Sequence, residues 1–341
     1  MTAGVLLCFV VVVLGAYVRL TAAGLGCPDW PGCYGRVTPV AAAASPEAQA
    51  AFPDKPLDVG KAWHEMIHRY AAGTLALVIA AIAALALATT HGRRTIGAGY
   101  GLALLATVLF QALLGMLTVT WQLKPLIVTG HLVFGLTTLS LLWWLWLSLP
   151  RAQASLAGQA RVPAAAPPRW LGPDAKTARV SFGLAAIGLA ALAVQIVLGG
   201  WTSSNYAAVA CPDFPTCQNA WLPHADFHNA FVLWRGLSIN YEGGVLDNPA
   251  RVAIHFTHRL GALVATLALL AAALWVIVRS ASLAARQRAY LLLAALALQL
   301  TIGITMVEKG FPLPVATAHN AGAALLLLAA LGLLERVAHE R

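Results

Sequence analysis

The stretch His64-Glu-Met-Ile-His-Arg69 has a counterpart in Ile254-His-Phe-Thr-His-Arg259, and both end in His-Arg at the start of a long apolar run. A further histidine follows each dipeptide at nearly the same distance. His131 lies 63 residues after His68, and His319 lies 61 residues after His258. Histidine inside a membrane helix is costly unless it faces a partner, so it usually marks a functional site. The repeated pattern therefore predicts two equivalent sites, each between two imidazoles.

The composition around these histidines is that of a membrane protein. Of the 341 residues, 60% are hydrophobic and 10% are charged, and the mean hydropathy is +0.75. A soluble domain is about half apolar and a quarter charged. Eight apolar runs reach the ~20 residues that a helix needs to cross a bilayer. They are placed near Ala3–Leu20, Tyr70–Ala88, Ile96–Trp121, Leu126–Leu149, Val180–Trp201, Val252–Val278, Ala289–Val307 and Leu313–Leu334.

Arginine-rich connections predict the orientation in the membrane. The loop after the second run holds Arg93 and Arg94, the loop after the sixth holds three arginines, and the linker 151–179 holds five basic residues and one acid. By the positive-inside rule these connections and both termini are cytoplasmic. The net charge of +9 is thus partly a topology signal and makes no case for nucleic acid as a partner. The first run lacks the features of a cleaved signal peptide or a transit peptide, so we expect a bacterial inner membrane.

The sequence is a duplication. Cys27-Pro-Asp-Trp-Pro-Gly-Cys33 recurs as Cys211-Pro-Asp-Phe-Pro-Thr-Cys217 at an offset of 184. At an offset of 188, Gln111, Gly115 and Val119 recur as Gln299, Gly303 and Val307. We expect an all-α integral membrane protein with two tandem four-helix bundles, related by a pseudo-twofold along the membrane normal because each unit has an even number of helices. The predicted divisions are an N-terminal half 1–150, the cytoplasmic linker 151–179 and a C-terminal half 180–341.

Both cysteine pairs fall in predicted outer loops, where disulfides form. Closing so short a loop stabilises the fold by about 2 kcal/mol through loop entropy. We interpret Cys27 with Cys33, and Cys211 with Cys217, as structural clips. A redox-active pair is the alternative, and it suits the first copy better.

The histidines of each half are predicted to lie at one depth. His131 lies six residues beyond Pro125 and His319 five residues beyond Pro314, where the fourth and eighth helices should begin. The histidines of the two His-Arg dipeptides lie just inside the outer ends of the second and sixth helices. At 1.5 Å per residue, all four are roughly 10 Å below the outer surface. Two imidazoles from facing helices at one level are a standard clamp for an iron porphyrin in a helical bundle.

Three arginines are candidates for binding the propionates of such a porphyrin. Arg69 and Arg259 directly follow a histidine, and Arg19 ends the first helix. The guanidinium group binds carboxylates in a bidentate manner. The alternative for each is an ordinary interfacial arginine.

The first copy also matches the His-Glu-x-x-His zinc motif of metalloproteases through His64, Glu65 and His68. The second copy has His255 where Glu65 stands and no histidine at the first position. A zinc site needs a third protein ligand, and the sequence offers no convincing one. We therefore favour the porphyrin interpretation.

The difference between the copies is informative. Glu65 lies one helical turn before His68 on the same face, so only the first site has a carboxylate beside its ligand. Two identical electron-transfer hemes do not require such a carboxylate. A protein with one reacting site and one electron-carrying site would require a carboxylate at the reacting site only.

The combination resembles the heme A synthase family over nearly the whole chain. Its elements are the doubled four-helix unit, the paired Cys-Pro-Asp loops, Glu65-x-x-His68-Arg69, His131, His258-Arg259 and His319. The resemblance implies oxidation of a ring methyl of heme O to a formyl group, which gives heme A for terminal oxidases.

The resemblance also implies roles for single residues. His68 and His131 would be the axial ligands of the substrate heme O, His258 and His319 those of a permanent heme B, and Glu65 would stand beside the reacting methyl. The implied partners are heme O, the heme O synthase that supplies it, an electron acceptor or donor and the lipid bilayer. A homo-oligomer stays open.

Two alternatives share part of this pattern. A diheme b-type membrane cytochrome, passing electrons between a quinone and a partner, would have the same four histidines and eight helices. Only Glu65 and the sequence differences between the two halves argue against the diheme cytochrome. A transporter with parallel repeats would need polar, broken helices in mid-membrane.

Overall fold

The computed structural model describes residues 1–156 and 175–340. Across those ranges the regular structure is helical, apart from two isolated β-bridges. Eight of the helices are long and apolar enough to cross a membrane. They are α1 Thr2–Leu20, α2 Val59–Ala88, α3 Ala98–Thr120, α4 Pro125–Leu156, α5 Ala175–Ser204, α6 Asn248–Arg279, α7 Leu283–Glu308 and α8 Leu313–Ala338. The predictions of an all-helical class and of eight membrane-spanning helices are confirmed.

All of these helices except α3 are longer than their predicted apolar runs. The Asp58 side chain accepts a hydrogen bond from the Lys61 N–H and begins α2, and Asp247 begins α6 in the same way through Ala250. Capping by aspartate satisfies N–H groups that have no partner within the helix. The helix therefore includes the polar residues before each His-Arg dipeptide. Helix also extends into both ends of the predicted linker, whose residues 157–174 lie outside the described ranges.

Each set of four helices packs in chain order around a ring. In the first half α1 contacts α2 and α4, and α3 contacts the same two helices; α5 to α8 repeat this arrangement. The halves meet through α1 with α8, α4 with α5, and α4 with α8. If α1 is exchanged with α5 and α4 is exchanged with α8, the same three helix–helix contacts are obtained. An interface between two units related by a twofold axis has this property. The packing agrees with two tandem bundles, and the pseudo-twofold axis itself stays a prediction.

The most enclosed helix is α8. Buried residues make up 61% of its most apolar window, against 33% or less in the other seven helices. It contacts α5 and α7 of its own bundle and α1 and α4 of the other. The indole of Trp143 on α4 donates to the carbonyl oxygen of Leu328 on α8 at 3.0 Å. The core is thus continuous between the halves, and Cys8 is buried in it.

A disulfide loop caps the outer end of each half. Cys27 is bonded to Cys33 and Cys211 to Cys217, with Cα–Cα distances of 4.7 and 4.6 Å. Both distances fall in the usual range.

The aspartate of each Cys-Pro-Asp motif closes its loop from inside. Asp29 accepts hydrogen bonds from the N–H groups of Tyr34 and Gly35 at 2.6 and 2.8 Å. Asp213 accepts from the N–H groups of Gln218 and Asn219 at 2.6 and 3.0 Å. The Thr216 hydroxyl, together with these backbone bonds, holds the pKa of Asp213 below its usual value.

Candidate functional site

The first histidine pair faces across a bundle. His68 on α2 and His131 on α4 have ring centroids 6.4 Å apart, with their planes at 80°. A metal bond of about 2 Å to each imidazole, plus about 1 Å from nitrogen to ring centre on each side, gives a spacing of about 6 Å. The observed separation therefore suits two axial ligands of one iron. The Nδ1 atoms of both rings are buried without a hydrogen-bond partner.

A glycine on the preceding helix makes room for each of the four rings. A Cβ at that glycine would lie close to the Cε1 atom of the histidine. The pairs are Gly15 with His68 at 2.9 Å, Gly115 with His131 at 3.1 Å, Gly199 with His258 at 3.2 Å and Gly303 with His319 at 3.0 Å. Contacts this short would displace the ring, so the sequence provides four matched cradles.

A cavity of about 1060 Å³ lies between α1, α2, α3 and α4. Ligand sites are usually apolar clefts of about 300–1,000 Å³ with a few placed polar groups. Its polar lining includes His68, His131, Glu65, Arg69 and Arg19. The cavity also reaches Gly199 and Asn320 of the second half. The predicted residues of the first site are thus brought together around one space.

Glu65 is buried beneath the first disulfide loop, with 5% of its surface exposed. Its Oε2 accepts from the Cys27 N–H at 2.8 Å, and its Oε1 accepts from Arg69 at 2.6 Å. His255, the counterpart of Glu65, instead accepts from Nε of Arg259 at 3.3 Å. The carboxylate is therefore fixed by both a main-chain donor and a charge.

The three arginines bind the protein's own carbonyl oxygens. Arg69 donates to Asp29 at 2.9 Å and to Gly32 at 2.5 Å, both in the first disulfide loop. Arg19 donates to Ser203 at 2.5 Å and covers the ring of Tyr206. Arg259 likewise donates to two carbonyl oxygens of the second disulfide loop, at 2.7 and 2.9 Å. Each arginine therefore holds the outer surface together, and a carboxylate ligand would compete with these carbonyls.

The second pair is built the same way. His258 on α6 and His319 on α8 lie on two helices that both pack against α5 and α7. Gln195 and Gln299 approach these histidines through their carboxamides. The contact of Gln195 with His258 was not predicted from the sequence. Gln195 nevertheless lies four residues before Gly199, just as Gln111 lies four residues before Gly115.

The metalloprotease interpretation finds no support in the geometry. Over the described ranges, no three or more His, Cys, Asp or Glu side chains form a group able to hold a metal ion. His64 instead meets the ring of Tyr17 edge-on at 5.1 Å.

The fold and this cavity define a class: a multi-pass helical membrane protein with a histidine pair in each of two four-helix bundles, one of the pairs at a large cavity. Comparison with known proteins specifies the family. The model of the COX15-CtaA family, described as cytochrome oxidase assembly protein, matches residues 1–331. The chain belongs to this family, as the sequence analysis predicted.

Relatives of known name support this membership. A protein of Shewanella oneidensis named heme A synthase is 41% identical over 93% of this chain and 89% of its own length. Heme A synthases of Rhizorhabdus wittichii and Paracoccus denitrificans are 29% and 28% identical, over 95% and 92% of this chain and 89% and 81% of their own lengths.

Proposed function

We propose that the chain is a heme A synthase, an oxidoreductase that converts a ring methyl of heme O to a formyl group. The observation that carries the proposal is the first cavity, which has opposed histidines at a spacing suited to one iron and a fixed carboxylate on its wall. The names of the relatives agree with this activity. They do not favour the diheme cytochrome.

The two halves take different hemes in this proposal. His68 and His131 hold the substrate heme O, and His258 and His319 hold a resident heme B. The glycine cradles support both assignments, because each accommodates an imidazole pointing into its bundle. The large cavity and Glu65 support the first half as the reacting one.

The chain's own residues place and polarise the substrate. Bound heme supplies the redox chemistry that side chains lack. Glu65, oriented by Arg69 and the Cys27 N–H, stabilises positive charge developing at the methyl carbon. Apolar wall residues such as Val11, Val108 and Leu132 keep water from most of the cavity. Oxidation of a methyl releases electrons, so an acceptor outside the site is needed.

The proposed location is a bacterial inner membrane with both termini in the cytoplasm. The support is the cluster of arginines at the ends of α2 and α6, on the side opposite the disulfide loops. Tags at either terminus should react with impermeant reagents only after the membrane is opened. A heme O synthase is the partner that would deliver substrate.

Extraction of hemes from cells supplied with heme O tests the proposal. The parent protein should yield heme A and heme B. Glu65→Gln keeps the size of the side chain and an acceptor for Cys27 but leaves Arg69 without its ion-pair partner. It should fold with a lower unfolding midpoint, retain heme B and bind heme O. Its heme A should fall about a hundredfold, as when one stabilising group is removed from a transition state.

Glu242→Gln is the matched control, because Glu242 lies in an outer loop with a third of its side chain exposed. It should leave heme A unchanged. Near-normal heme A from Glu65→Gln would remove the catalytic role of that residue. Heme B alone from the parent would favour the diheme cytochrome.

A further inference from the structure

Three of the four histidines share a glutamine contact. Gln111, Gln195 and Gln299 each lie four residues before the cradle glycine of their helix. Each donates through Nε2 to the main-chain oxygen of its histidine. The distances are 2.7 Å for Gln111 to His131, 3.0 Å for Gln195 to His258 and 3.1 Å for Gln299 to His319.

In the second half the same amides also reach the rings. Gln195 Nε2 lies 3.0 Å from Nδ1 of His258, and Gln299 Nε2 lies 3.3 Å from Nδ1 of His319. The Oε1 atoms of all three glutamines are buried without a hydrogen-bond partner. In both cases the bond from Nε2 to the main-chain oxygen of the histidine holds the carboxamide beside the imidazole of the same residue.

The histidine helices make room for these amides. A Cβ at Gly261 or Gly322 would overlap the carboxamide oxygen of Gln195 or Gln299, and a Cβ at Gly135 would lie 3.1 Å from Nε2 of Gln111. Glutamine on one helix and glycine on the other therefore form a paired feature, which we name the Gln–Gly clamp.

The fourth position lacks the clamp. Four residues before Gly15 stands Val11, which is buried and lines the first cavity. The residue three after His68 is Ala71, whereas Gly261 stands three after His258. His68 therefore lacks both the glutamine and the glycine of the clamp. Its helix, its cradle glycine and its partner histidine are retained.

We infer that Gln111, Gln195 and Gln299 are positioning residues that fix three of the histidines, and that Val11 leaves His68 as the releasable ligand of the first site. The inference rests on the proposed function. A resident cofactor needs two firm ligands, whereas a substrate must leave after each turnover. One clamped and one unclamped histidine meet the second requirement, with His131 fixed and His68 free to withdraw.

Two reciprocal double variants test this assignment through heme dissociation. Val11→Gln with Ala71→Gly installs the clamp at His68. Gln195→Val with Gly261→Ala removes it from His258. Purified proteins loaded with heme O and heme B are mixed with excess apomyoglobin, and the loss of each heme is followed separately.

Installing the clamp should slow loss of heme O about tenfold, and removing it should speed loss of heme B about tenfold, the lower end of typical effects of such outer contacts. The removal variant should also shift the midpoint potential of heme B, because the orientation of the His258 imidazole is no longer held. Val11→Leu adds bulk without an amide, so it should not slow the loss of heme O.

Unchanged rates of heme loss in both double variants would overturn the inference. It would also be overturned if Val11→Leu slowed the loss of heme O as much as the double variant Val11→Gln with Ala71→Gly. If the installed clamp prevents folding, the removal variant decides alone. A parent protein that binds no heme O in its first half would instead count against the proposed function, so the two failures are distinguishable.

Discussion

Glu65 and His255 occupy equivalent positions one turn before a histidine, yet they organise their surroundings differently. Glu65 joins the first disulfide loop to α2 through the Cys27 N–H and through Arg69, which itself binds carbonyls of that loop. His255 accepts from Arg259 at 3.3 Å and lies edge-on to the ring of Phe311, with the ring centroids 6.4 Å apart. The carboxylate therefore has a structural contact as well as a proposed chemical role, and variants must separate the two.

A double-mutant cycle on Glu65 and Arg69 should show strong coupling. The pair is buried, with 6% and 12% of the side chains exposed. Removing one partner of a buried pair typically costs about 3–5 kcal/mol, because the other charge is left unpaired. We expect Arg69→Met to lower the unfolding midpoint in detergent sharply, and Arg69→Met with Glu65→Gln to lower it by less than the sum of the single changes.

The exposed pair of Lys55 and Glu242 provides the comparison. Its side chains are 35% and 34% exposed and 3.3 Å apart. Such pairs contribute about 0–1 kcal/mol, so Lys55→Met should leave the unfolding midpoint almost unchanged. Additive single changes at Glu65 and Arg69 would contradict the proposed coupling.

Gly115→Ala should weaken heme binding in the first half. The added Cβ would lie 3.1 Å from Cε1 of His131 and push the ring from its present position. We expect at least a tenfold loss of heme O affinity, since an error of about 1 Å in placement is costly at such sites. The measurement is a spectroscopic titration of purified protein with heme O.

Gly99→Ala on the same helix is the control, because a Cβ there meets nothing within 4 Å. It should bind heme O like the parent and gain slightly in helix stability. Equal affinities for the two variants would show that the cradle does not position His131.

At the scale of helices, the sequence predicted most of what is observed. Length, apolarity and the bilayer thickness together fixed the number of spanning helices. The register of the histidines followed from Pro125 and Pro314, because proline is tolerated in the first turn of a helix. Helix α2 begins before its apolar run, because capping by Asp58 includes polar residues in the helix.

The loops were less predictable for a physical reason. Their order comes from bonds between distant segments, such as Cys27 to Glu65, which have no periodic pattern in the sequence. The arginine contacts with carbonyl oxygens are of the same kind. Binding of ligand carboxylates by these arginines stays a prediction. Three of the four cradles, together with Gln195, could have been found by applying the glutamine-to-glycine spacing to every helix.

Gly26→Ala should loosen the first disulfide loop. A Cβ at Gly26 would lie 2.7 Å from the carbonyl carbon of Lys61 and 2.9 Å from the Ala62 nitrogen, both in the backbone of α2. Relief requires the loop to move away, at a cost of about 1–3 kcal/mol. We expect faster reduction of Cys27–Cys33 by dithiothreitol, measured by mass mapping, together with less heme A.

The second half supplies the control for this change. Ala210 is the counterpart of Gly26, so the second loop already accepts a Cβ at this place. Ala210→Gly should leave reduction of Cys211–Cys217 close to the parent rate. A Gly26→Ala protein with unchanged reduction kinetics would mean that the loop does not depend on this close approach.

At the scale of the whole molecule, the two sites share a wall. Gly199 of α5 cradles the ring of His258 on one side and lines the first cavity on the other. Asn320, next to His319, lines the same cavity. Close packing at Gly200, where a Cβ would lie 3.0 Å from Leu132, brings α5 against α4. A duplication with fused halves thus places the two sites one helix apart, a proximity suited to electron exchange.

The outer loop of the second half also reaches over the first half. Lys124, in the turn between α3 and α4, is 2% exposed and donates to the carbonyl oxygen of Gly236. Its Nζ lies 3.2 Å from the ring centroid of Trp234 and 5.7 Å from that of Trp121. A backbone bond of 3.0 Å from Tyr241 to Gln122 lies beside it. Leu123, the neighbour of Lys124, lines the first cavity.

Lys124→Met should release this loop from the first half. Methionine keeps the apolar stem against the tryptophans but removes a desolvated cation–π interaction of about 2 kcal/mol and leaves the Gly236 carbonyl without its donor. We expect trypsin to cleave after Arg235 faster in right-side-out membranes. Heme O should be retained less well, while the heme B spectrum stays unchanged, because the second site does not use this contact.

Lys309→Met tests whether the charge alone matters. Lys309 ends α7 on the outer side, but it is exposed, so its loss should change neither cleavage at Arg235 nor retention of heme O. Equal cleavage in the parent and in Lys124→Met would show that the loop is held without the lysine. Loss of heme B from Lys124→Met would show that the contact stabilises the molecule as a whole. Selective loss of heme O would show that the second half helps to close the substrate site of the first, which gives the fused duplication a role beyond carrying a second heme.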